Sequence, residues 1–87
     1  MSAPRHLVVL IRRPGFDEGL VAPHIAFLEA LRAQGLLELS GGFADSSGGA
    51  YLLRGVPDLA AARGIAQRDP LVVHGASDLT VHEWNAR

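Results

Sequence analysis

A short apolar segment near the amino terminus constrains the fold more than any other feature of the chain. Residues 7–11 read Leu-Val-Val-Leu-Ile, and Pro14-Gly15 follows soon after. The segment is rich in β-branched side chains and too short for a helix, so it predicts a strand over His6–Ile11. A strand that is apolar at every position is covered on both faces. The sheet that contains it must therefore have a layer on each side.

Two helices and three further strands are predicted downstream. The first helix starts at Pro23, which suits the first helical position, and closes at Gly35. The second starts after Asp58, whose side chain can accept hydrogen bonds at the N-cap, and ends where Pro70 prevents continuation. The strands are predicted over 36–42, 50–54 and 79–84, with a hairpin-type loop over 44–49.

The order of these elements, β-α-β-β-α-β, predicts an α+β protein of the ferredoxin-like class, with two helices on one face of a four-stranded antiparallel sheet. The other face needs a cover, because the first strand is apolar on both sides and the third offers Tyr51, Leu52 and Leu53 in succession. Two such sheets packed face to face across a twofold axis would supply it. We therefore expect a homodimer, a dimeric α+β barrel. Tyr51 and Trp84 are expected in its core or interface, or as an aromatic wall for a flat substrate.

Length, composition and charge narrow the class of protein. The 87 residues allow a single domain over 1–87, of which 48% are hydrophobic and 20% charged, as in ordinary folded proteins. Eight basic and nine acidic residues leave a formal net charge of -1, which disfavours nucleic acid as a partner. The absence of cysteine excludes disulfides and thiolate catalysis. The apolar run is too short for a signal peptide or a membrane span, so no membrane contact and a cytoplasmic location are expected.

Polar residues fall together at one edge of the predicted sheet. Because successive elements run up and down, the ends of the first and second strands, the start of the first helix and the end of the second share one rim. This rim collects a histidine, a carboxylate, two arginines and a glycine turn, namely His24, Asp69, Arg12, Arg13 and Ser40-Gly41-Gly42. That combination is typical of an acid–base site for a small molecule.

The histidine and the carboxylate each have a structural role that competes with the chemical one. His24 shares a helical stripe with Phe27 and Leu28, so it points inward, either as an acid–base group or as a core histidine held by a backbone carbonyl. Asp69 either partners His24 or simply ends the helix before Pro70. A carboxylate at a helix C-terminus opposes the helix dipole, which favours a compensating partner.

The other rim residues are also open to two interpretations. Ser40, Gly41 and Gly42 can donate backbone N–H groups to a substrate oxygen, or can merely bend the end of the strand. Arg12 and Arg13 can hold a substrate carboxylate or enolate, or can stay solvated. No metal is expected, because the remaining histidines lack helical i, i+4 mates and nearby acidic triads; these are His6, His74 and His82.

Several short motifs span nearly the whole chain in a fixed order. They are His24-x-x-x-Leu28-x-x-Leu31, Gly35-x-Leu37, Ser40-Gly41, Asp69-Pro70 and a Val-His-Glu-Trp end strand. Together they resemble the YciI-like (YCII-related) family. The resemblance implies a dimeric ferredoxin-like barrel and, in members with assigned chemistry, enzymes that act on small cyclic or aromatic compounds with a His and an Asp as an acid–base dyad. By resemblance, those roles fall on His24 and Asp69. The chain departs from the family at Gly42-Phe43-Ala44, where many members have a proline-containing turn.

Two functions from different classes follow. The first is a cofactor-independent lyase or isomerase in which His24 moves a proton, Asp69 orients or charges it, and the Ser40-Gly41 backbone stabilises a developing oxyanion, with the substrate left open. The second is a non-catalytic module that binds a small ligand or joins an assembly through the same barrel, since a fold does not determine a function.

Overall fold

The computed structural model describes residues 4–87, so the first three residues of the predicted domain over 1–87 lie outside the described part. Its strands are β1 (Arg5–Arg12), β2 (Leu37–Gly42), β3 (Gly48–Leu53) and β4 (Ser77–Trp84). Its helices are α1 (Val21–Ala33), α2 (Leu59–Ala66) and the short α3 (Pro70–Val73), and a 3-10 turn over Glu18–Leu20 precedes α1. No helix among residues 4–87 is long and apolar enough to cross a membrane.

The four strands form one antiparallel sheet in the order β2-β3-β1-β4, which confirms the predicted ferredoxin-like α+β fold. The helices cover one face of it. Strand β1 reflects this one-sided cover. His6, Val8 and Leu10, at alternate positions, are buried, whereas Leu7 and Val9 between them are only partly buried. The buried core joins β1 to both main helices, with Leu31 from α1 and Ala62 from α2 among its members. Small side chains on α2 let that helix lie close to the sheet, as its alanines suggest.

The face opposite the helices carries the residues of β1 that alternate with the buried ones. Ile11 is 42% exposed there and Trp84, at the end of β4, is 47% exposed. Leu7 and Val9 lie between them on the same face and are partly buried. This open face is the surface on which a homodimer is expected.

The segment around Asp69 differs from the predicted end of a helix. Helix α2 stops at Ala66, and Pro70 is the first residue of α3 rather than the stop signal of α2. Proline suits that position because the N–H it lacks would have no partner in the helix. Asp69 is the N-cap of α3 and accepts a hydrogen bond from the backbone N–H of Leu71. The carboxylate therefore lies at the favourable end of a helix, and the predicted conflict with a helix C-terminus was wrong.

Two strands begin earlier than predicted. Strand β3 starts at Gly48 instead of Ala50, and β4 starts at Ser77 instead of Leu79. The glycines pair closely with their neighbours: a Cβ atom at Gly49 would lie 2.6 Å from the carbonyl oxygen of Gly41, and one at Gly48 would collide with the backbone of β1. What the sequence suggested as loop is thus tightly packed sheet.

Candidate functional site

A cavity of about 190 Å³ opens at one edge of the sheet, on the side of the helices. All four strands and α1 contribute to it, as the shared rim of the βαββαβ order predicts. Most of its surface is apolar, and the side chains that form this wall are Leu10, Phe16, Val21, Ile25, Leu28 and Leu71. The volume is below the roughly 300–1,000 Å³ of sites that hold drug-sized ligands, so the cavity suits a small compound.

His24 projects into this cavity from α1 and is held from behind by Asp69. Its Nδ1 lies 2.8 Å from one carboxylate oxygen of Asp69 and 3.0 Å from the other. The histidine side chain is 16% exposed, whereas Asp69 is fully buried. The two residues thus touch, which the sequence alone left open. Because Nδ1 is occupied, Nε2 is the ring nitrogen left for a ligand.

Asp69 is held by donors from three separate elements. Besides His24 in α1, its carboxylate accepts a hydrogen bond from the hydroxyl of Tyr51 in β3 at 3.2 Å and from the backbone N–H of Leu71 in α3 at 3.0 Å. An ionised carboxylate only accepts hydrogen bonds, and both of these groups only donate here. Because the carboxylate can only accept, Nδ1 of His24 has to be its third donor. The neutral form of His24 that matches Asp69 is therefore the tautomer with its proton on Nδ1.

Tyr51, which the sequence placed in the core or interface or as an aromatic wall for a flat substrate, is buried and lines the cavity. The residue is 2% exposed, and its ring centroid lies 6.3 Å from that of His24 at a tilted angle of 49°. Burial raises the pKa of the Tyr51 phenol far above its ordinary value, and the charge of Asp69 and the hydrogen bond to it add to the increase. The phenol therefore stays protonated and remains a donor to Asp69.

The two arginines of the rim separate in the structure. Arg12, the last residue of β1, lines the cavity; its guanidinium lies 4.1 Å from the ring centre of Phe16 and 3.1 Å from the carboxylate of Glu18. Arg13 does not line the cavity. It follows the end of the strand and points toward the carbonyl oxygen of Gly75 at 3.3 Å and the carboxylate of Asp78 at 3.6 Å. Of the predicted pair, only Arg12 is placed to meet a ligand.

The segment Ser40-Gly41-Gly42 is the last part of β2, paired with β3, and does not form a turn. Ser40, Gly41 and Gly42, at the end of β2, all line the cavity. No atom outside the local chain lies within 4 Å of a Cβ built at Gly41, so the main chain is open to a ligand there.

Phe16, Gly48, Gly49 and Ser77 are among the lining residues that were not predicted from sequence. The two glycines were assigned to a hairpin loop, and a doubled glycine directly before an apolar strand was the available signal for close strand packing. Ser77 was placed in a loop because the apolar alternation of β4 starts only at Leu79.

The remaining histidines lie away from the cavity. His6 is fully buried under the helices, and its Nε2 is 3.6 Å from the carboxylate of Glu83. Among residues 4–87, no three His, Cys, Asp or Glu side chains group together in a way that could hold a metal ion.

Comparisons with known proteins agree with this architecture. A family model described as "YCII-related domain" matches residues 5–85. Over 82 residues, the chain is 38% identical to "Uncharacterized protein YjpA" of Bacillus subtilis (strain 168), a match that covers 94% of this chain and 95% of that protein. One similar solved structure is 5-chloro-2-hydroxyhydroquinone dehydrochlorinase (TftG) from Burkholderia phenoliruptrix AC1100 in complex with 2,5-dihydroxybenzoquinone, with a TM-score of 0.72, 21% identity and 95% of each chain covered. At that identity, the likeness to TftG shows a shared fold.

Proposed function

We propose that this chain, which belongs to the YCII-related domain family as its motifs predicted, is a cofactor-independent enzyme that performs acid–base chemistry on a small cyclic or aromatic compound. The observation that carries the proposal is the contact between His24 and the buried carboxylate of Asp69 at the wall of a small apolar cavity. A histidine that lines a cavity and is oriented by a carboxylate on one ring nitrogen meets the geometric criteria for a candidate general base.

In this proposal, Nε2 of His24 takes a proton from a carbon or hydroxyl of the substrate and returns it at another position. Asp69 keeps the imidazole in the Nδ1–H tautomer and stabilises the imidazolium that forms. Moving one proton out and one proton in without any change of oxidation state is the balance of an isomerase. If a leaving group departs with the electron pair instead, the same steps make a lyase.

The negative charge that develops on the substrate needs a partner in the cavity. Arg12 is the cation that lines it, and its exposed ion pair with Glu18 is of a kind that contributes little, so a ligand anion can compete for the guanidinium. The main chain at Gly41 and Gly42, next to Ser40, offers a close approach because these two residues have no side chain. Arg13 has no part in this proposal.

The substrate class rests on size, polarity and the fold. A cavity of about 190 Å³ with an apolar wall favours a compact ring over an extended or highly charged molecule. TftG, which shares the fold, is named for its action on a chlorinated hydroxyhydroquinone and was crystallised with a dihydroxybenzoquinone. That likeness makes hydroxylated and quinonoid rings the first compounds to examine.

The proposal includes a homodimer that forms through the open face of the sheet. Ile11 and Trp84 leave large apolar side chains exposed there. The change Ile11→Lys should shift the sedimentation profile from dimer to monomer, because it places a charge in a buried apolar interface. Val73→Lys, at a residue that is 62% exposed on the helical side, is the matched control and should leave the assembly unchanged. A wild-type monomer at micromolar concentration would rule out the dimer.

Catalysis is tested by exchange of carbon-bound hydrogen. The wild-type protein is incubated in D₂O with 2,5-dihydroxybenzoquinone and other enolisable ring compounds, and deuterium incorporation is followed by NMR. We expect His24→Ala to slow exchange at least about 100-fold, since general acid–base groups contribute about 10²–10⁴. His74→Ala is the control, because His74 is exposed and lies outside the cavity. Equal exchange in both variants would exclude His24 as the base. Binding of these compounds without any exchange would favour the non-catalytic binding module.

A further inference from the structure

Ser77 combines burial, a lack of partners and a position in the cavity. It is the first residue of β4 and is 7% exposed. Its hydroxyl oxygen has no hydrogen-bond partner among residues 4–87, and the residue lines the cavity described above. Buried hydroxyls in native proteins nearly always have a partner, so an unpaired one calls for a reason.

Ser77 differs from the other buried polar side chains in both its lack of a partner and its position. Within residues 4–87, the buried side-chain nitrogen and oxygen atoms without a partner belong to His6 and Ser77. His6 does not line the cavity, and Asp69 is fully paired. Among residues 4–87, Ser77 is therefore the one residue that both carries such an unpaired buried group and lines the cavity.

The neighbour of Ser77 across the sheet indicates which ligand group it would meet. Ser77 is paired with Arg12 in the register of β1 and β4, and cross-strand partners project from the same face of a sheet. Both residues line the cavity. A hydroxyl-bearing residue and an arginine thus occupy opposite positions on the cavity side of the sheet, and the Arg12 guanidinium packs against the ring of Phe16. A cation and a neutral donor side by side favour an oxygen that carries negative charge.

We propose that Ser77 and Arg12 together bind an oxyanion of the substrate, a carboxylate, phenolate or enolate oxygen on a small planar ring. Ser77 donates its O–H to that oxygen, and Arg12 supplies the charge. This inference rests on the proposed function, because it assigns the substrate of the same cavity to the class of ring acids. It makes Ser77 a binding residue that discriminates between an acidic ring and its uncharged analogue.

The variant Ser77→Ala separates a binding hydroxyl from a structural one. Because the hydroxyl has no protein partner to lose, we expect the thermal midpoint of Ser77→Ala to stay within about 2 °C of wild type or to rise. His74→Ala is the control, since His74 is exposed, lies outside the cavity and is not on the open face of the sheet. A fall of more than about 4 °C in Ser77→Ala alone would show that the hydroxyl supports the fold, and would overturn the proposal.

Binding is measured by NMR titration of the labelled protein with benzoate and with its uncharged analogue benzamide. We expect the wild type to bind benzoate more tightly than benzamide, and Ser77→Ala to weaken benzoate binding by about tenfold or more, since a hydrogen bond to a charged group contributes that much. Arg12→Gln should remove the preference for the acid. Equal affinity of wild type and Ser77→Ala for benzoate, or no binding of benzoate by the wild type, would overturn the proposal.

The two proposals fail in different ways. His24→Ala retains Ser77 and Arg12, so it should still bind benzoate with nearly wild-type affinity while it loses hydrogen exchange. If the acid binds through Ser77 but no compound is turned over, the oxyanion site stands and the enzyme proposal does not. If exchange is seen and depends on His24 but not on Ser77, the reverse holds.

Discussion

The alkaline stability of this protein should depend on one side chain. All eight basic residues of the sequence are arginines, so there is no lysine, and the chain has no cysteine and a single tyrosine. Arginine stays charged to above about pH 12, and an α-amino group titrates near pH 8. Between about pH 9 and 12, Tyr51 is thus the only side chain of the 87-residue sequence that can titrate in the unfolded state.

The sign and size of the effect follow from the raised pKa of Tyr51. Its ordinary pKa is 10.0, and burial, followed by the charge of Asp69 and the hydrogen bond to it, raises the folded-state pKa far above that value. The stabilising contribution is therefore complete below pH 10 and is lost as the pH rises above it, because only the unfolded chain releases the proton. At about pH 11 the loss is about 1.4 kcal/mol, and it grows by about 1.4 kcal/mol for each further pH unit.

The free energy of unfolding is measured by urea titration at several pH values from about 9 to 11.5, at one protein concentration. Trp84 fluorescence and circular dichroism report unfolding, and phenolate absorbance reports ionisation of Tyr51. We expect ionisation to appear only together with unfolding. Tyr51→Phe is the control: it should be less stable at neutral pH by about 1.5–3 kcal/mol, because a hydrogen bond to a charged acceptor is lost, and its stability should be flat across the same range.

Two results would refute this reasoning. Phenolate absorbance that rises near pH 10 in the folded protein would mean that Tyr51 is open to solvent and does not donate to Asp69. If the free energy of unfolding of Tyr51→Phe fell equally steeply at alkaline pH, another group would cause the decrease. The assignment to Tyr51 would then fail.

Three further predictions concern stability and are each checked by urea unfolding. Asp69→Asn should lower the free energy of unfolding by about 3 kcal/mol, because an amide replaces a buried carboxylate that faces three donors. The ¹⁵N shifts of His24 should also show that it loses its preference for the Nδ1–H tautomer, and an unchanged tautomer would contradict the pairing. Gly49→Ala should lower the free energy of unfolding by about 1–3 kcal/mol, because its Cβ would press on the β2 backbone. Gly41→Ala has open space around it and should change that free energy by less than about 0.5 kcal/mol. Equal effects of the two variants would argue against close packing of β3 on β2 at Gly49. Gly64→Ala, exposed within α2, should add about 0.5–1 kcal/mol, and a loss would show an unrecognised packing role.

The parts of the fold that depend on local pattern were predictable from the sequence. The apolar run of β1, the N-cap at Asp58 and the glycine at the end of α1 are local signals, and the structure contains the corresponding elements. The order of these elements then determined the rim on which His24 and Ser40 lie, since topology alone places them at one edge. The errors of two residues at the starts of β3 and β4 are of the size expected when a strand begins in glycine or serine.

The parts that depend on long-range pairing could not be predicted. Proline after aspartate is equally consistent with the end of one helix and the start of another, and only the gap between Ala66 and Pro70 decides in favour of the latter. The pairing of Ser77 with Arg12 depends on the register of strands that are far apart in sequence. The hydroxyl of Tyr51 reaches Asp69 only because the fold brings β3 and the residue before α3 together, which no local pattern encodes.

The N-cap position of Asp69 explains how a fully buried carboxylate is tolerated beside His24. An unpaired buried charge is costly, but here Leu71 and Tyr51 supply two donors that belong to the fold itself, independently of His24. Replacing His24 therefore removes one donor of three and leaves the carboxylate held, whereas replacing Asp69 removes the partner of all three at once. It follows that His24 variants report on chemistry with limited damage to the fold, while a loss of activity in Asp69→Asn has to be separated from its loss of stability before it counts as evidence for a catalytic dyad.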